Sequence, residues 1–419
     1  MGQIAAAAGS PTVQLENAAT GSYPIHALKY AFKSLAFPRL PMPTPDPILW
    51  QFSLSTVNAI IWIALLAFAL WIGTRMRWGR LVAVTAFITL DLIAFGAFVR
   101  LTDSGLGCPD WPGCYGQLLP TQANADINQA IATQGGTHGP VSHGKAWIEM
   151  LHRYVASFIG ALILVMFGRA VYAKLRPERS MFSAPRSAVG VTWPLLLLVV
   201  VSLQGLFGKW TVTLKLMPAV VTAHLLGGMT LFALLVWFWM RERDRMGDVR
   251  ANAVPAGTRV QWLTWLAIVA LYVQIFLGGW VSTNYAVLAC ADFPGCNGTM
   301  MPELAWGDGF TMMRELGKNP DGTYLSIDAL RAIHWAHRIG ALVVTIIVVA
   351  TAIALMRANA QLKRQAMYIK IALTLQILIG ISTVIFDQPI LVATAHNFFA
   401  AVLLATLIVA AYRVSFVRT

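Results

Sequence analysis

Charge is scarce in this chain of 419 residues: Lys and Arg number 31, Asp and Glu 18, and charged residues make up only 12%. A soluble domain carries about a quarter. The hydrophobic share is 57%, and a soluble reading would leave long uncharged runs with no core to hide them. Cysteine is rare, with four residues. Closely spaced aspartates of the kind that hold magnesium-diphosphate are missing, which disfavours a prenyltransferase. A copper-type histidine trio is missing too, which disfavours a haem-copper oxidase. No apolar stretch precedes residue 48, so no cleavable signal peptide is expected.

Apolar runs long enough to span a bilayer, about 20 residues each, are present instead. Nine are expected: 48–73, 81–100, 146–168, 192–212, 218–240, 261–283, 330–356, 367–386 and 390–412. The run 81–100 carries Asp91 at its centre. An acid inside a membrane is expected to face a neighbouring helix, and no partner for it is evident.

The net charge of +13 does not point to nucleic acid, because the cations gather in alternate loops. One set holds Arg75, Arg77 and Arg80; Arg169, Lys174 and Arg176; Arg241, Arg243 and Arg245; Arg357, Lys363 and Arg364; and Arg413. The other set holds only Lys145, Lys215, Arg314 and Lys318. The positive-inside rule then puts the basic loops and the C-terminus in the cytoplasm. Residues 1–47 form an N-terminal tail on the outer side. Within it, 25–37 has the pattern of a surface amphipathic helix, and 38–47 reads as a stiff proline-rich linker.

The chain repeats itself. GAFVRLTDSGLGCPDWPGC (96–114) answers GGWVSTNYAVLACADFPGC (278–296) at an offset of 182, matching Gly96, Val99, Cys108, Asp110, Pro112, Gly113 and Cys114. LQGLFGKWTVTLKLMPAVVTAHLLGG (203–228) answers LQILIGISTVIFDQPILVATAHNFFA (375–400) at an offset of 172, matching Gln204, Gly208, Val212, Thr222, Ala223 and His224. Between these blocks, LHRY (151–154) answers AHRI (336–339). Matched Cys, His, Pro and Asp weigh more than matched Leu and Val, which apolar helices share cheaply. The expected fold is therefore an all-α polytopic membrane protein. It has two pseudo-symmetric four-helix bundles from an internal duplication, plus one extra N-terminal helix. The divisions are 1–47 tail, 48–73 extra helix, 74–240 first half and 241–419 second half.

Of eight histidines, His26, His138 and His143 fall in the tail or first outer loop and are expected to be solvated. His152 and His337 each precede an arginine near the start of a span. His224 and His396 each follow Thr-Ala in a later span of each half. All four sit about six or seven residues inside the outer end, roughly 10 Å deep. A single intramembrane histidine is commonly a hydrogen-bonded packing residue. Four at one depth, two per half, suit the two axial imidazoles of a haem iron. Zinc would want three or four ligands per site, and copper would favour Cys or Met near the histidines.

Three further features bear on chemistry. Arg153 and Arg338 follow the first histidine of each pair; they either snorkel to lipid headgroups or pair with haem propionates. Glu149 stands three residues before His152, on the same helix face, where the second half has His334. Glu149 is either a helix-start acid favoured by the macrodipole or the mark of one catalytic and one structural or electron-transfer site. Cys108/Cys114 and Cys290/Cys296 both read C-x5-C in outer loops, wider than usual metal spacing. The outer side of a bacterial inner membrane is oxidising, so two loop-internal disulfides are expected, structural or redox-active.

The motifs RLTDSGLGCPDWPGC (100–114), EMLHR (149–153), TAHLLGG (222–228), the second C-x5-C, HWAHR (334–338) and TAHN (394–397) together resemble the haem A synthase family, over about residues 80 to 412. The cysteine-bearing loops look like its bacterial branch, hence an inner-membrane protein with periplasmic cysteine loops. The family's usual eight helices correspond to 81–412, and the helix 48–73 departs from that pattern. The resemblance implies oxidation of the C8 methyl of haem O to a formyl group by successive hydroxylations. It implies haem b in the second half, with His337 and His396 as axial ligands and Arg338 nearby. It implies haem O as substrate in the first half beside His152, His224 and Arg153, with Glu149 as the essential glutamate. The implied partners are membrane lipid, a haem O synthase that delivers substrate and an electron donor of unidentified kind; self-association is left open. A non-enzymatic di-haem electron carrier and a haem transporter or chaperone would use the same histidines.

Overall fold

A computed structural model describes residues 60, 63–136, 139–176, 190–248 and 252–415. The tail 1–47 with His26, the start of the run 48–73, and His138 lie outside the described residues. Among the described residues, eight helices are long and apolar enough to cross a membrane. They are α2 (Trp78–Leu101), α4 (His143–Leu175), α5 (Thr192–Thr213), α6 (Pro218–Arg245), α7 (Thr258–Thr283), α8 (Ile327–Ala358), α9 (Lys363–Ile385) and α10 (Ile390–Ser415). Before them comes a shorter apolar helix, α1 (Ile63–Arg75). The first outer loop adds α3 (Asn124–Thr133).

Local chemistry sets the helix ends. Ser142 caps α4 by accepting from Lys145 N at 3.2 Å, and Ser326 caps α8 by accepting from Ala329 N at 3.2 Å. Such caps satisfy amide donors that the first turn leaves free. Both spans consequently start three residues earlier than hydropathy alone suggests. His143 is the first residue of α4 and half-buried, with Nε2 2.9 Å from Asn128 Oδ1, rather than a solvated loop residue. Pro218 opens α6 at its first position, where a missing N–H costs nothing.

The helices pack as two closed four-membered bundles. In the first, α2 meets α4, α4 meets α5, α5 meets α6, and α6 returns to α2. In the second, α7, α8, α9 and α10 repeat that circuit. The bundles join through α2 with α10 and α6 with α7, which are equivalent pairs under the repeat, and through α6 with α10. Leu231, Leu235, Leu404 and Leu407 are among the buried side chains of this shared core. The outward faces are apolar, as hydrocarbon requires. Trp262, Leu266, Val269 and Val273 run down one exposed stripe of α7, and Leu342, Ile346, Val349 and Ile353 down one of α8. The described part of α1 lies against α4, where Phe68 stacks on Phe158 at 5.6 Å and Arg169 donates to the Gly73 carbonyl.

One expectation is overturned. Asp91 does not face a neighbouring helix: it is exposed, on the stripe of α2 that also exposes Arg80 and Phe87. The helical period explains this, because Ile93 and Thr89 take the inward positions and leave Asp91 on the outer side.

Candidate functional site

The four span histidines occupy equivalent places, each against a glycine of a neighbouring helix in its own half. A Cβ added at Gly96 on α2 would stand 3.1 Å from His152 Cε1, and one at Gly278 on α7 would stand 3.0 Å from His337 Cε1. One at Gly208 on α5 would stand 3.4 Å from His224 Cε1, and one at Gly380 on α9 would stand 2.7 Å from His396 Cε1. These glycines are the repeat's own pairs, at offsets 182 and 172. The small residue lets a helix backbone close on the flat of an imidazole, which any side chain would push away.

In the second half the rings of His337 and His396 are 6.4 Å apart between centroids and crossed at 84°. Two imidazoles held to one metal by bonds of about 2 Å leave ring centres roughly that far apart. In the first half, His224 is an electrostatic neighbour of His152, and Phe95 stacks on His152 at 6.2 Å. Nδ1 of His152, His224 and His396 is buried with no hydrogen-bond partner among the described residues. Orphaned buried nitrogens are uncommon; ligation through Nε2 would leave these Nδ1 atoms as they are, so the fit rests on the facing rings and their spacing. A planar group ligated from both sides fits these pairs. Among the described residues no three His, Cys, Asp or Glu converge as a metal site, whereas a haem needs only two side chains.

Glutamines support the histidines, and the sequence analysis did not single them out as site residues. Gln204 Nε2 donates to the His224 carbonyl at 2.9 Å, and its counterpart Gln376 places Nε2 3.3 Å from His396 Nε2. Gln274 Nε2 lies 2.9 Å from both His337 Nδ1 and the His337 carbonyl. Gln204 was visible among the residues matched across the repeat. Gln274 was not, because the first half has Leu92 there.

Above the histidines sit the cysteine loops. Cys108 is joined to Cys114 with an S–S distance of 2.06 Å, and Cys290 to Cys296 with 2.00 Å. Each loop is closed by an aspartate. Asp110 accepts from Tyr115 N at 2.6 Å and Gly116 N at 2.8 Å; Asp292 accepts from Asn297 N at 2.5 Å and Gly298 N at 2.8 Å. The Gly298 and Asn297 amides hold the Asp292 carboxyl below its ordinary value.

The arginines beside the histidines reach up into these loops. Arg153 donates to the Asp110 carbonyl at 2.8 Å and to the Gly113 carbonyl; Arg338 donates to the Asp292 carbonyl at 2.8 Å and to the Gly295 carbonyl. The protein's own carbonyls satisfy these terminal N–H groups, while Arg338 Nε is buried with no partner among the described residues. Arginine ties each loop to the helix that carries the first histidine.

Glu149 breaks the symmetry. It is 4% exposed, pairs with Arg153 Nη2 at 2.5 Å through Oε1, and accepts from Cys108 N at 2.9 Å through Oε2. Since α4 begins at His143, Glu149 lies beyond the first turn, where the macrodipole acts. The helix-start account therefore does not explain it. His334 takes its place in the second half, 3% exposed, near the backbone of Ala286 and Val287. It leaves the disulfide loop to Arg338 alone.

The chain is similar to the heme A synthase of Shewanella oneidensis, 39% identical over 344 residues, which is 81% of this chain and 96% of the relative. It is similar to the heme A synthase of a Caulobacter species, 27% identical over 79% of this chain and 94% of the relative. The heme A synthase of Alkalihalophilus pseudofirmus is 29% identical over 53% of this chain and 65% of that protein. The family model described as COX15-CtaA, cytochrome oxidase assembly protein, matches residues 79–408. With that match running from the start of α2 almost to the end of α10, the chain belongs to the COX15-CtaA family of cytochrome oxidase assembly proteins.

Proposed function

We propose that this chain is a haem A synthase, oxidising the C8 methyl of haem O to a formyl group by successive hydroxylations, with substrate in the first half and a resident haem b in the second. The observation that carries the reading is an asymmetry inside a symmetry. Both halves repeat the histidine pair, its glycine contacts and the arginine-held loop, yet among the described residues only the first adds a buried acid beside the histidine pair and its loop, Glu149. That relatives of this chain are named heme A synthase supports the reading.

His337 and His396 would hold haem b between them, with Arg338 shaping the loop above the site. His152 and His224 flank haem O, and Arg153 does the same for the first loop. A haem held in the second half supplies one-electron transfer. Glu149 works on the substrate side. Its carboxylate is buried under the disulfide loop, where it can hold a proton at Oε2 or face positive charge developing at the methyl carbon. The Arg153 pair and the Cys108 amide fix its position for either task. Each hydroxylation takes two electrons from the methyl carbon and so needs an oxidant; with dioxygen in that role, each also draws two electrons from an external donor, which this reading leaves as a separate partner, as it does a haem O synthase. The basic loops support a bacterial inner-membrane setting with cysteine loops periplasmic and the C-terminus cytoplasmic.

The test is co-expression with an enzyme that makes haem O, followed by chromatography and mass analysis of the extracted haems. Haem A or its hydroxylated precursor in wild type, but not in Glu149→Ala, supports the reading. Haem b retained with haem O untouched in wild type would replace it with an electron carrier.

A further inference from the structure

One of the points at which the two halves differ touches the first histidine of each pair directly. Gln274 on α7 contacts His337 at Nδ1 and at the carbonyl, both at 2.9 Å. At the equivalent place on α2, 182 residues earlier, stands Leu92, and His152 Nδ1 has no partner among the described residues. The space around the two residues differs in step. Gly340, one helical turn after His337, leaves the room that the Gln274 amide fills, and a Cβ there would run into the amide. The residue three after His152 is Val155. At this place the second half combines an amide with a glycine and the first combines leucine with valine; the first half has such an amide and glycine at its other histidine, where Gln204 donates to the His224 carbonyl and fills the room at Gly227. Volume compensation alone would be met by any apolar side chain opposite Gly340. It does not account for an amide inside a span, which is unfavourable unless paired and here makes its contacts with His337.

We infer that Gln274 is a positioning residue for His337, fixing its ring so that the second half retains its haem while the first half, with Leu92 and Val155, binds loosely enough to exchange substrate for product. The inference rests on the haem assignment proposed above. An imidazole bound to iron through Nε2 carries its hydrogen on Nδ1, and an acceptor at that atom orients the ring and makes it a more basic ligand. Gln274 Oε1 is buried with no partner. A half-turn of the amide brings that oxygen to Nδ1; the side chain must also shift away from the His337 carbonyl oxygen, which it would otherwise face at the 2.9 Å now spanned by Nε2, and it gives up its donation there. Leu92 can offer His152 nothing comparable.

The test uses the full-length, haem-loaded protein in detergent, with His152→Ala and His224→Ala in the background so that only second-half haem is read. Haem loss to an excess scavenger and the reduction midpoint are measured for Gln274→Leu and Gln274→Glu. Gln274→Leu is expected to speed haem loss by about 10–100-fold and to raise the midpoint, because a less basic ligand favours reduced iron. Gln274→Glu, which keeps an acceptor, is expected to retain haem and lower the midpoint. In a separate background with His337 and His396 removed, Leu92→Gln with Val155→Gly is expected to slow loss of first-half haem. Unchanged loss and midpoint in Gln274→Leu overturn the inference while leaving the haem assignment intact. Unchanged haem content in a His337→Ala, His396→Ala protein that keeps His152 and His224 replaced overturns the assignment itself, and the inference with it.

Discussion

Tyr285 donates a hydrogen bond to Asp103 at 2.6 Å, and the two residues are each other's counterparts in the repeat, 182 positions apart. Arg100 likewise donates to the carbonyl of its own counterpart, Ser282, at 2.9 Å, with its guanidinium 4.1 Å from the Tyr285 ring centroid. A residue that touches its own counterpart lies beside the axis relating the halves. That axis therefore emerges between the ends of α2 and α7, and this cluster fastens the bundles there.

The fastening is unequal, which gives a first prediction. Tyr285→Phe removes one exposed hydrogen bond, worth about 0.5–1.5 kcal/mol. Arg100→Ala removes a charge-assisted bond to Ser282, the pair with Asp103 at 3.1 Å and the ring contact, together about 2–3 kcal/mol. Thermal unfolding in detergent should rank Arg100→Ala as the more damaging. Equal midpoints for the two variants would mean that the cluster does not hold the halves together.

The glycines against the histidines give a graded prediction. The space available to a new Cβ is least at Gly380 (2.7 Å), intermediate at Gly278 (3.0 Å) and Gly96 (3.1 Å), and greatest at Gly208 (3.4 Å). Alanine variants should lose bound haem in that order, read as Soret absorbance per protein, with helicity preserved. Gly205→Ala, which meets nothing within 4 Å, should behave as wild type. An order unrelated to these distances would separate the glycines from the haem sites.

Glu149 has a structural task and a proposed chemical one, and substitutions can divide them. Glu149→Gln keeps an acceptor for the Cys108 amide but loses the charge that faces Arg153. Its fold and haem b content should stay near wild type, while haem O conversion should fall by about 10²–10⁴-fold, the range of a lost general acid–base. Glu149→Ala should in addition loosen the first loop, seen as faster reduction of Cys108–Cys114 by a thiol. Full conversion by Glu149→Gln would confine Glu149 to holding the loop.

The backbone repeats more faithfully than the side chains, and this marks where the sequence was legible. Left-handed residues occur in matched pairs: Asp103 with Tyr285 and Tyr115 with Asn297 at offset 182, Lys215 with Asp387 and Leu216 with Gln388 at offset 172. None of these pairs matches in type, so sequence comparison was blind to them. What it could see were positions where chemistry allows one residue, such as His152 and His337 or Cys108 and Cys290. Asp91 was misread because an acid in an apolar run says nothing about which way its helix is turned. That depends on packing with α4, α6 and α10, which hydropathy does not encode. Gln274 was passed over for the opposite reason: its meaning lies in its difference from Leu92, and an alignment of halves rewards sameness.

Asp292 gives a prediction about pH. The Gly298 and Asn297 amides lower its carboxyl from the ordinary value of 3.8, so folding favours the charged form. For a depressed acid the stabilising bonds are fully present above the unfolded value and are lost as pH falls through the lower folded one. The second outer loop should therefore hold constant order through neutral and mildly acidic conditions and loosen only below about pH 4. Hydrogen exchange of residues 290–299, corrected for intrinsic rates, reads this directly, with the Asn297 and Gly298 amides losing protection first. Asp292→Asn keeps an acceptor but cannot titrate, so its protection should be lower and independent of pH. Because Arg338 donates to the Asp292 carbonyl, loosening should pass to the helix that carries His337, and haem loss from the second half should quicken over the same range. A loop that loosens while haem loss stays flat would show that Arg338 does not transmit the change.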